Sequence, residues 1–158
     1  TFVVHEKYYA SGKLISNSFF TMESTVFSKI ANHEVPAHII WEDDSFIAFL
    51  DVLPIAPGHV IVAPRQPFAS LEDMPDGSLG NFFVVAQKIG KAFLTALGAE
   101  GYSLFLDNKN GANQRVPHVH FHVLPRAADD GLGRWPQNNA YADGEAEEYT
   151  RKLRGVIS

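Results

Sequence analysis

Three histidines at alternate positions, His118, His120 and His122, constrain this chain more than any other feature. Because side chains alternate between the faces of a strand, an extended backbone places all three imidazoles on one side, about 7 Å apart at a rise of about 3.3 Å per residue. The residues between and after them then face an apolar core: Val119, Phe121 and Val123. β-branched and aromatic side chains favour a strand over a helix, and Pro117 suits its first residue.

Composition limits the class of protein. A chain of 158 residues, 46% hydrophobic and 20% charged, fits one globular domain with a buried core. The net charge of −5 gives no general attraction to nucleic acid or to an anionic membrane, so a phosphate-bearing ligand must be held by local geometry. The lack of cysteine excludes disulfides and thiolate metal sites. No apolar run approaches the roughly 20 residues of a membrane span, and we expect a soluble, cytoplasmic protein.

The N-terminal region differs from the rest of the chain. Residues 1–21 show no clear hydrophobic period, and we predict that they form an extension, with a targeting segment as the alternative. Residues 22–158 show no internal repeat and are predicted to form a single domain.

Apolar runs bounded by turn residues predict the strands of that domain. They are expected at 39–41, 46–50, 59–63 and 102–106, in addition to the histidine strand. The run at 46–50 is nearly all apolar, which indicates a central strand. Strands combined with a few helices predict an α+β fold with a central, mainly antiparallel sheet.

Helical periodicity predicts one long helix from Ser78 to Leu97, stopped by Gly98. The residues expected on its buried side are Leu79, Phe82, Phe83, Ile89, Phe93 and Leu97. A short helix capped by Ser24 is expected near residue 26, with three apolar residues on one face: Val26, Phe27 and Ile30. A single turn is expected at 71–74, and a C-terminal helix at 145–157.

Three aligned imidazoles suit phosphorus chemistry. Neutral imidazole is a good nucleophile at neutral pH because its pKa lies near 6.5. Attack by a ring nitrogen on phosphorus gives a phospho-histidine intermediate that water then splits. The nucleophile needs its other ring nitrogen held as a donor, and it needs neighbours that donate to the phosphoryl oxygens. A central histidine flanked by two others meets both needs, so His120 is the predicted nucleophile.

Two other interpretations of the three histidines stay open. A His-x-His pair can chelate a metal, and three histidines with one open position suit catalytic zinc. Three residues on one face of a strand span about 13 Å, however, which is too far for one ion with bonds of about 2 Å unless the strand bends. In the other interpretation the histidines are polar strand residues that face water.

The motif resembles the histidine-triad (HIT) superfamily, whose His-x-His-x-His pattern follows a glutamine, here Gln114. The likeness extends from about residue 24 to residue 126. Six further segments match the N-terminal half of the family in order: Val26-Phe27-Ser28-Lys29-Ile30, Val35-Pro36, Glu42-Asp43-Asp44, Ala48-Phe49-x-Asp51, Pro57-Gly58-His59 and Pro64-Arg65.

The resemblance implies an α+β homodimer that binds purine nucleotides and hydrolyses or transfers nucleoside monophosphates. His120 is then the nucleophile, His118 and His122 are its flanking partners, and His59 supports them from behind. Asp51 is implied as the acceptor of the ribose hydroxyls. The implied walls of the base pocket are Val26, Phe27, Ile30, Phe49 and Val52. The implied phosphate and leaving-group shell is Asp107, Asn113, Gln114 and Arg115.

Without the resemblance, each of these roles has a plainer alternative. Phe27, Ile30 and Phe49 would be core residues. Asp51 would be a turn-forming aspartate before a proline-rich loop, and His59 would be a buried histidine with satisfied ring nitrogens.

Some positions depart from the family. Thr25 and Ser28 stand where some relatives have paired cysteines that bind structural zinc, and Pro67 stands near the place of a further expected histidine. These three losses argue against zinc, and we predict neither a metal nor another cofactor.

The loop before the triad also departs from the family. Asp107 replaces an amide that contacts phosphate, and a carboxylate about 5 Å from a phosphate costs roughly 3 kcal/mol at an effective dielectric of 20. Arg115 replaces a small polar residue and is expected to pair with Asp107 or donate to phosphate. Asn113 replaces a glycine, and Asn108 is an alternative amide that would turn inward.

We therefore predict a purine nucleotide-binding hydrolase or transferase that cleaves a nucleoside phosphoramidate, or a related nucleotide, through a nucleotidyl-His120 intermediate. Asp51 favours the Hint-type phosphoramidase branch of the superfamily. The segment from His122 to Arg126 is more like the dinucleoside polyphosphate hydrolase branch, which remains an alternative. Two further alternatives are a nucleotide-binding regulatory module with little turnover and a metal-dependent hydrolase.

Overall fold

The computed structural model of the chain describes residues 24–132 and four isolated positions beyond them, 143, 148, 150 and 154. The first of two compact units ends at Arg126, and the second begins at Ala127. The predicted extension at 1–21 lies outside the described residues. Of the predicted C-terminal helix, positions 148, 150 and 154 are helical, and its other positions lie outside the described residues. The domain boundaries stay a prediction.

The first unit is built on one five-stranded antiparallel sheet. Its strands are β1 (Ile39–Glu42), β2 (Phe46–Leu50), β3 (Val60–Pro64), β4 (Gly101–Phe105) and β5 (Phe121–Arg126). Their spatial order is β1-β2-β3-β5-β4, and every neighbouring pair is antiparallel. The predicted α+β fold with an antiparallel sheet is confirmed.

Each face of the sheet packs against a helix. Alternate residues of β2 show the division, because Phe46 and Ala48 belong to one apolar cluster while Ile47 and Phe49 belong to the other. The first cluster includes the buried side of helix α2 (Asp76–Ala96). The second includes the end of helix α1 (Val26–Ala31). Both faces of β2 are therefore buried, as its apolar sequence predicts.

Helix α2 buries most of the predicted face, with two exceptions. Phe82, Ile89 and Phe93 are buried as expected, and Leu79 packs partly against the same cluster. Phe83 and Leu97, however, are 52% and 58% exposed, so their predicted burial is wrong. The buried face follows the period of the helix and takes its remaining positions from smaller residues: Val85, Ala86 and Gly90.

One of these small residues sets the distance between α2 and the sheet. A Cβ atom at Gly90 would lie 2.4 Å from Cζ of Tyr102 on β4, closer than two such atoms can approach. The phenol ring therefore occupies the space of a missing side chain, and the helix packs directly on it.

The short helix α1 begins one residue later than predicted. Thr25 rather than Ser24 is its N-cap, because the Thr25 hydroxyl accepts the backbone N–H of Ser28. Val26 is 46% exposed, so it does not share the buried face with Ile30. Arg65 holds the other end of the helix, since its guanidinium donates to the carbonyls of Ala31 and Asp43.

The histidine strand is shorter than predicted. Strand β5 begins at Phe121, so only His122 lies within it, and Pro117 lies in a bend. Val119 N–H donates to the carbonyl of Phe68, 2.7 Å away, instead of to a neighbouring strand. The alternation nevertheless holds, because Val119, Phe121 and Val123 all join the α2 cluster. Within residues 24–132, no helix has the length and hydropathy that a membrane span requires.

Candidate active site

Four histidines lie together on the α1 side of the sheet. The rings of His120 and His122 have centroids 4.8 Å apart, and those of His59 and His122 are 5.0 Å apart. The first distance is shorter than the predicted 7 Å, because the rings lean toward each other. His118, His120 and His59 are at most 5% exposed, so the interpretation as a water-facing row is wrong.

His120 has the proton arrangement that a nucleophile needs. Its Nδ1 lies 2.7 Å from the backbone carbonyl of His118. A carbonyl oxygen only accepts, so Nδ1 carries the proton and Nε2 carries the lone pair. No buried side-chain nitrogen or oxygen among the described residues lacks a partner, and Nε2 of His120 has none there, so this atom reaches solvent. Burial lowers the pKa of His120 below 6.5, which keeps the ring neutral.

His118 is arranged differently, because both of its ring nitrogens already have partners. Nε2 lies 2.7 Å from the carbonyl of Pro64, and Nδ1 lies 2.7 Å from the hydroxyl of Thr25. Burial lowers the pKa of His118 to about 4. With no free lone pair, His118 is not available for attack on phosphorus.

His59 and His122 form a directly bonded pair. Nε2 of His59 lies 2.9 Å from Nδ1 of His122, so one of the two nitrogens donates. Nδ1 of His59 faces two groups of opposite kind, the backbone N–H of Ile55 at 3.2 Å and Oδ2 of Asp51 at 3.4 Å. When Nδ1 of His59 is bare, it accepts from Ile55. When it is protonated, it donates to the Asp51 carboxylate.

Burial and nearby carboxylates have opposite effects on the pKa values of His59 and His122. Burial is the largest cause that lowers the pKa of His59, and the Asp51 carboxylate opposes it. Burial also lowers the pKa of His122, while Asp51 and Asp107 oppose that effect. The two carboxylates therefore make protonation of the rings less costly than burial alone would allow.

The predicted walls of the base pocket separate into buried and exposed residues. Ile30 and Phe49 are 7% and 3% exposed and pack in the α1 cluster. The ring of Phe27 lies 5.4 Å from that of Phe49 and 4.9 Å from that of His120. Val26 is 46% exposed and Val52 is 84% exposed. The two valines are therefore exposed to solvent in this chain, and a bound base would have to pack against them to bury them.

The loop before the triad holds two predicted site residues in specific conformations. Asn113 adopts a left-handed backbone with φ of +66°, which explains how asparagine replaces the family's glycine, since asparagine tolerates this region better than most residues. Gln114 uses its side-chain amide within the protein, accepting from Lys109 N–H and donating to the carbonyls of Ala69 and Val116. Gln114 thus fixes the shape of the loop.

Two charged residues of this loop do not pair as anticipated. Within the part of the chain that the structure describes, Arg115 makes no ion pair or hydrogen bond, so the expected pairing with Asp107 is absent. Asp107 acts on the triad, because its charge opposes the lowering of the pKa of His120. Asn108 turns away from the triad, accepting from Leu71 N–H and donating to Glu72.

The zinc site of some relatives does not fit these residues. Thr25 and Ser28 offer neutral hydroxyls instead of thiolates, and both nitrogens of His118 are engaged. A different group, Asp51, His59 and His122, brings potential ligand atoms within 4.8 Å of one another. A cation there would replace the proton shared by the imidazoles of His59 and His122. The metal-dependent alternative therefore predicts that a chelator removes the activity.

Sequence reasoning missed the fixed partners of the site. The Pro64 carbonyl and the Ile55 N–H are backbone groups that leave no trace in residue type. Thr25 carried only a weak local signal, because threonine is one of several residue types that suit an N-cap and Ser24 beside it is another. Its bond to a histidine 93 positions later had no local signal.

Comparisons with known proteins point to one family. Residues 32–129 match the family model described as HIT domain. A purine nucleoside phosphoramidase of Escherichia coli is 33% identical over 119 residues, which cover 70% of this chain and 98% of that protein. An adenosine 5'-monophosphoramidase of Schizosaccharomyces pombe is 34% identical over 115 residues, covering 72% of this chain and 84% of that protein.

Solved structures show the same likeness. A HIT family protein of Bacillus subtilis has a TM-score of 0.77 at 25% identity, covering 86% of this chain and 99% of that one. A zinc-bound histidine triad family protein of Mycobacterium smegmatis has a TM-score of 0.67 at 33% identity, covering 84% of this chain and 91% of that one.

Proposed function

This chain belongs to the HIT family, and from that premise we propose that it cleaves purine nucleoside phosphoramidates at the α-phosphorus. The observation that carries the proposal is the tautomer of His120, whose Nδ1–H donates to the His118 carbonyl and leaves Nε2 as a lone pair that reaches solvent. The phosphoramidases among the relatives support the substrate class.

The first step forms a bond between His120 Nε2 and phosphorus and breaks the bond from phosphorus to the leaving nitrogen. The electron pair of the broken bond stays on that nitrogen, which takes a proton from Nε2 of His122. The His59–His122 pair supplies this proton when it carries one extra, held on His59 Nδ1 beside Asp51 Oδ2, 3.4 Å away. A shift from His59 Nε2 to His122 Nδ1, across 2.9 Å, then leaves both rings neutral.

The second step releases the nucleotide. Water attacks the phosphorus of the nucleotidyl-His120 intermediate, and the electron pair of the P–N bond returns to Nε2. The proton of the water passes to His122 Nε2, and a proton returns from His122 Nδ1 to His59 Nε2, which restores the starting state. The sum of the two steps is one amine and one nucleoside monophosphate for each water consumed.

Asp107 favours an amine over a phosphate as the leaving group. Its carboxylate lies close enough to offset part of the lowering of the pKa of His120 and His122 by burial, so it also repels an anion that departs beside them. A nucleoside phosphate leaving group adds negative charge at that point, whereas an amine adds none. This preference supports the phosphoramidate over the dinucleoside polyphosphate as substrate.

The test compares the two substrates with wild type and His120→Ala, each with and without chelator. We expect release of adenosine monophosphate from an adenosine phosphoramidate, slower cleavage of the polyphosphate, no chelator effect, and loss of at least a thousandfold in the variant. Acid-quenched wild type should carry one nucleotidyl group per chain. Turnover by His120→Ala, or loss of activity with chelator, would contradict the mechanism. Nucleotide binding without turnover would favour the regulatory alternative.

We further propose a homodimer, with α2 and β4 at the interface. Among the described strands β4 pairs only with β5, which leaves its outer edge available. Helix α2, its C-cap and β4 carry large hydrophobic side chains that are 38–58% exposed: Phe83, Val84, Leu94, Leu97 and Tyr102. Light scattering should give twice the chain mass for wild type and the single-chain mass for Leu94→Glu, while Ile40→Glu on β1, also exposed, should stay dimeric.

A further inference from the structure

A single hydroxyl joins the start of helix α1 to the first histidine of the triad. Thr25 Oγ1 lies 2.7 Å from Nδ1 of His118 and 3.1 Å from the backbone nitrogen of Ser28. The second contact is the N-cap of α1, and the first links that cap to a ring that is completely buried. One oxygen atom thus holds the helix and the histidine together.

The direction of each of these bonds can be assigned. The Pro64 carbonyl can only accept, so Nε2 of His118 carries a proton. The ring is neutral in its buried site, so Nδ1 is bare and the Thr25 hydroxyl donates to it. The Thr25 oxygen accepts the Ser28 N–H, and it also accepts the Ser28 hydroxyl, which lies 3.1 Å away. Every donor in the group has an acceptor.

The same group sets the position of the nucleophile. The backbone carbonyl of His118 accepts Nδ1–H of His120, the bond that fixes the tautomer of His120. Phe27, two residues after Thr25, places its ring 4.9 Å from that of His120 and 5.7 Å from that of His118. A shift of the His118 ring or of α1 would therefore move a group that touches His120.

We propose that Thr25 is a positioning residue for nucleotidyl transfer, acting through its hydrogen bond to His118. The proposal rests on the proposed function for its kinetic consequence. The structural part, a hydroxyl that donates to a neutral His118, stands independently of any activity.

Three substitutions separate the two roles of the Thr25 hydroxyl, which are to cap helix α1 and to donate to His118. Thr25→Ser keeps both the cap and the donor. Thr25→Asp keeps the cap, because aspartate is a good N-cap, but its carboxylate accepts only and favours a protonated His118. Thr25→Val removes both. Thr95→Val makes the same change on the exposed side of α2 and serves as the matched control.

Kinetics with an adenosine phosphoramidate give the first readout. We expect Thr25→Ser to stay within threefold of wild type, and Thr25→Asp and Thr25→Val to lose at least tenfold in kcat with KM unchanged within threefold. Thr95→Val should match wild type. A Thr25→Asp variant with the kcat of wild type would overturn the proposal, because the cap alone would then suffice.

Nitrogen-15 spectra of the histidine rings give the second readout, which needs no turnover. Wild type and Thr25→Ser should show a neutral His118 with the proton on Nε2, and Thr25→Asp should show a cationic ring at pH 7. A neutral His118 in Thr25→Asp, or a proton on Nδ1 in wild type, would overturn the assignment. If wild type cleaves no nucleotide, the proposed function fails while this result still decides the inference.

Discussion

The two ends of the histidine row are built on opposite principles. At the clamped end, formed by Thr25, Pro64 and His118, each ring nitrogen has one fixed partner and the ring is fully buried. At the proton-transfer end, formed by Asp51, His59 and His122, one nitrogen of His59 faces both a donor and an acceptor, so two proton arrangements are compatible with one geometry. Histidines at equal spacing in the sequence thus differ in their hydrogen-bond partners, and their proposed roles differ with them. In the proposed mechanism the clamped end fixes position, and the other end moves protons.

The largest effect is expected from removing the histidine at the proton-transfer end. His122→Ala should lower kcat by about 10²–10⁴ for an alkylamine phosphoramidate, the range typical of a lost general acid. The loss should shrink strongly for a nucleoside p-nitrophenyl phosphate, whose leaving group departs without a proton. Steady-state rates with the two substrates check this, and an equal loss for both would mean that His122 positions phosphate instead.

The clamped end should contribute a measurable part of the response of stability to acid. Between pH 6.5 and about 4 the unfolded chain protonates at position 118 while the folded chain does not, so the free energy of unfolding falls as pH falls. From pH 7 to pH 5 the loss for this group is about 2 kcal/mol, at 1.36 kcal/mol per pKa unit. Urea unfolding at both values measures it. His118→Gln, which does not titrate, should lose a smaller amount, and an unchanged pH dependence would contradict the assignment.

Asp51 tests whether the proton-transfer end also binds the ribose. Asp51→Asn removes the charge that raises the pKa of His59, and we expect kcat to fall about tenfold at pH 7, equally for ribose and 2'-deoxyribose substrates. An acceptor for ribose hydroxyls would instead give a raised KM for the ribose substrate alone. Asp44→Asn, on an exposed turn, is the control and should change neither constant.

The smallest effect is expected from Asp107. Asp107→Asn removes a charge that raises the pKa of His120 and His122, so the acidic limb of the pH–rate profile should move to lower pH by a few tenths of a unit. The ratio of polyphosphate to phosphoramidate cleavage should rise severalfold in the same variant. Asp107→Glu keeps the charge and should leave both measurements near those of wild type; a shift in the opposite direction would exclude the electrostatic role.

The sequence predicted most where residue type and period agree. The apolar run at Phe46–Leu50 is a strand with the predicted bounds, because burial on both faces requires an apolar residue at every position. The direction of Val119 and Val123 toward the core was predicted from alternation alone. In α2 the predicted face is partly wrong, because residue type favours burial of large side chains such as Phe83 and Leu97, whereas the close packing with β4 requires small residues.

The candidate site was predictable in its members but not in its bonds. The triad motif located three of the histidines, and the segment Pro57-Gly58-His59 located the fourth. The tautomers depend on the Pro64 carbonyl and the Ile55 N–H, which are backbone groups that almost any residue type supplies. The start of β5 at Phe121 was not predictable for a similar reason. It depends on the hydrogen bond from Val119 N–H to the Phe68 carbonyl, which joins segments far apart in sequence.

The contact of Gly90 with the Tyr102 ring makes two distant positions interdependent. A methyl group at position 90 can be accommodated only if the phenol is shortened or swings outward, so Gly90→Ala should be harmful alone and tolerated together with Tyr102→Ala. Homologous chains that carry a larger residue in the helix should therefore carry a smaller one in the strand. Positions 90 and 102 are therefore expected to change together during evolution.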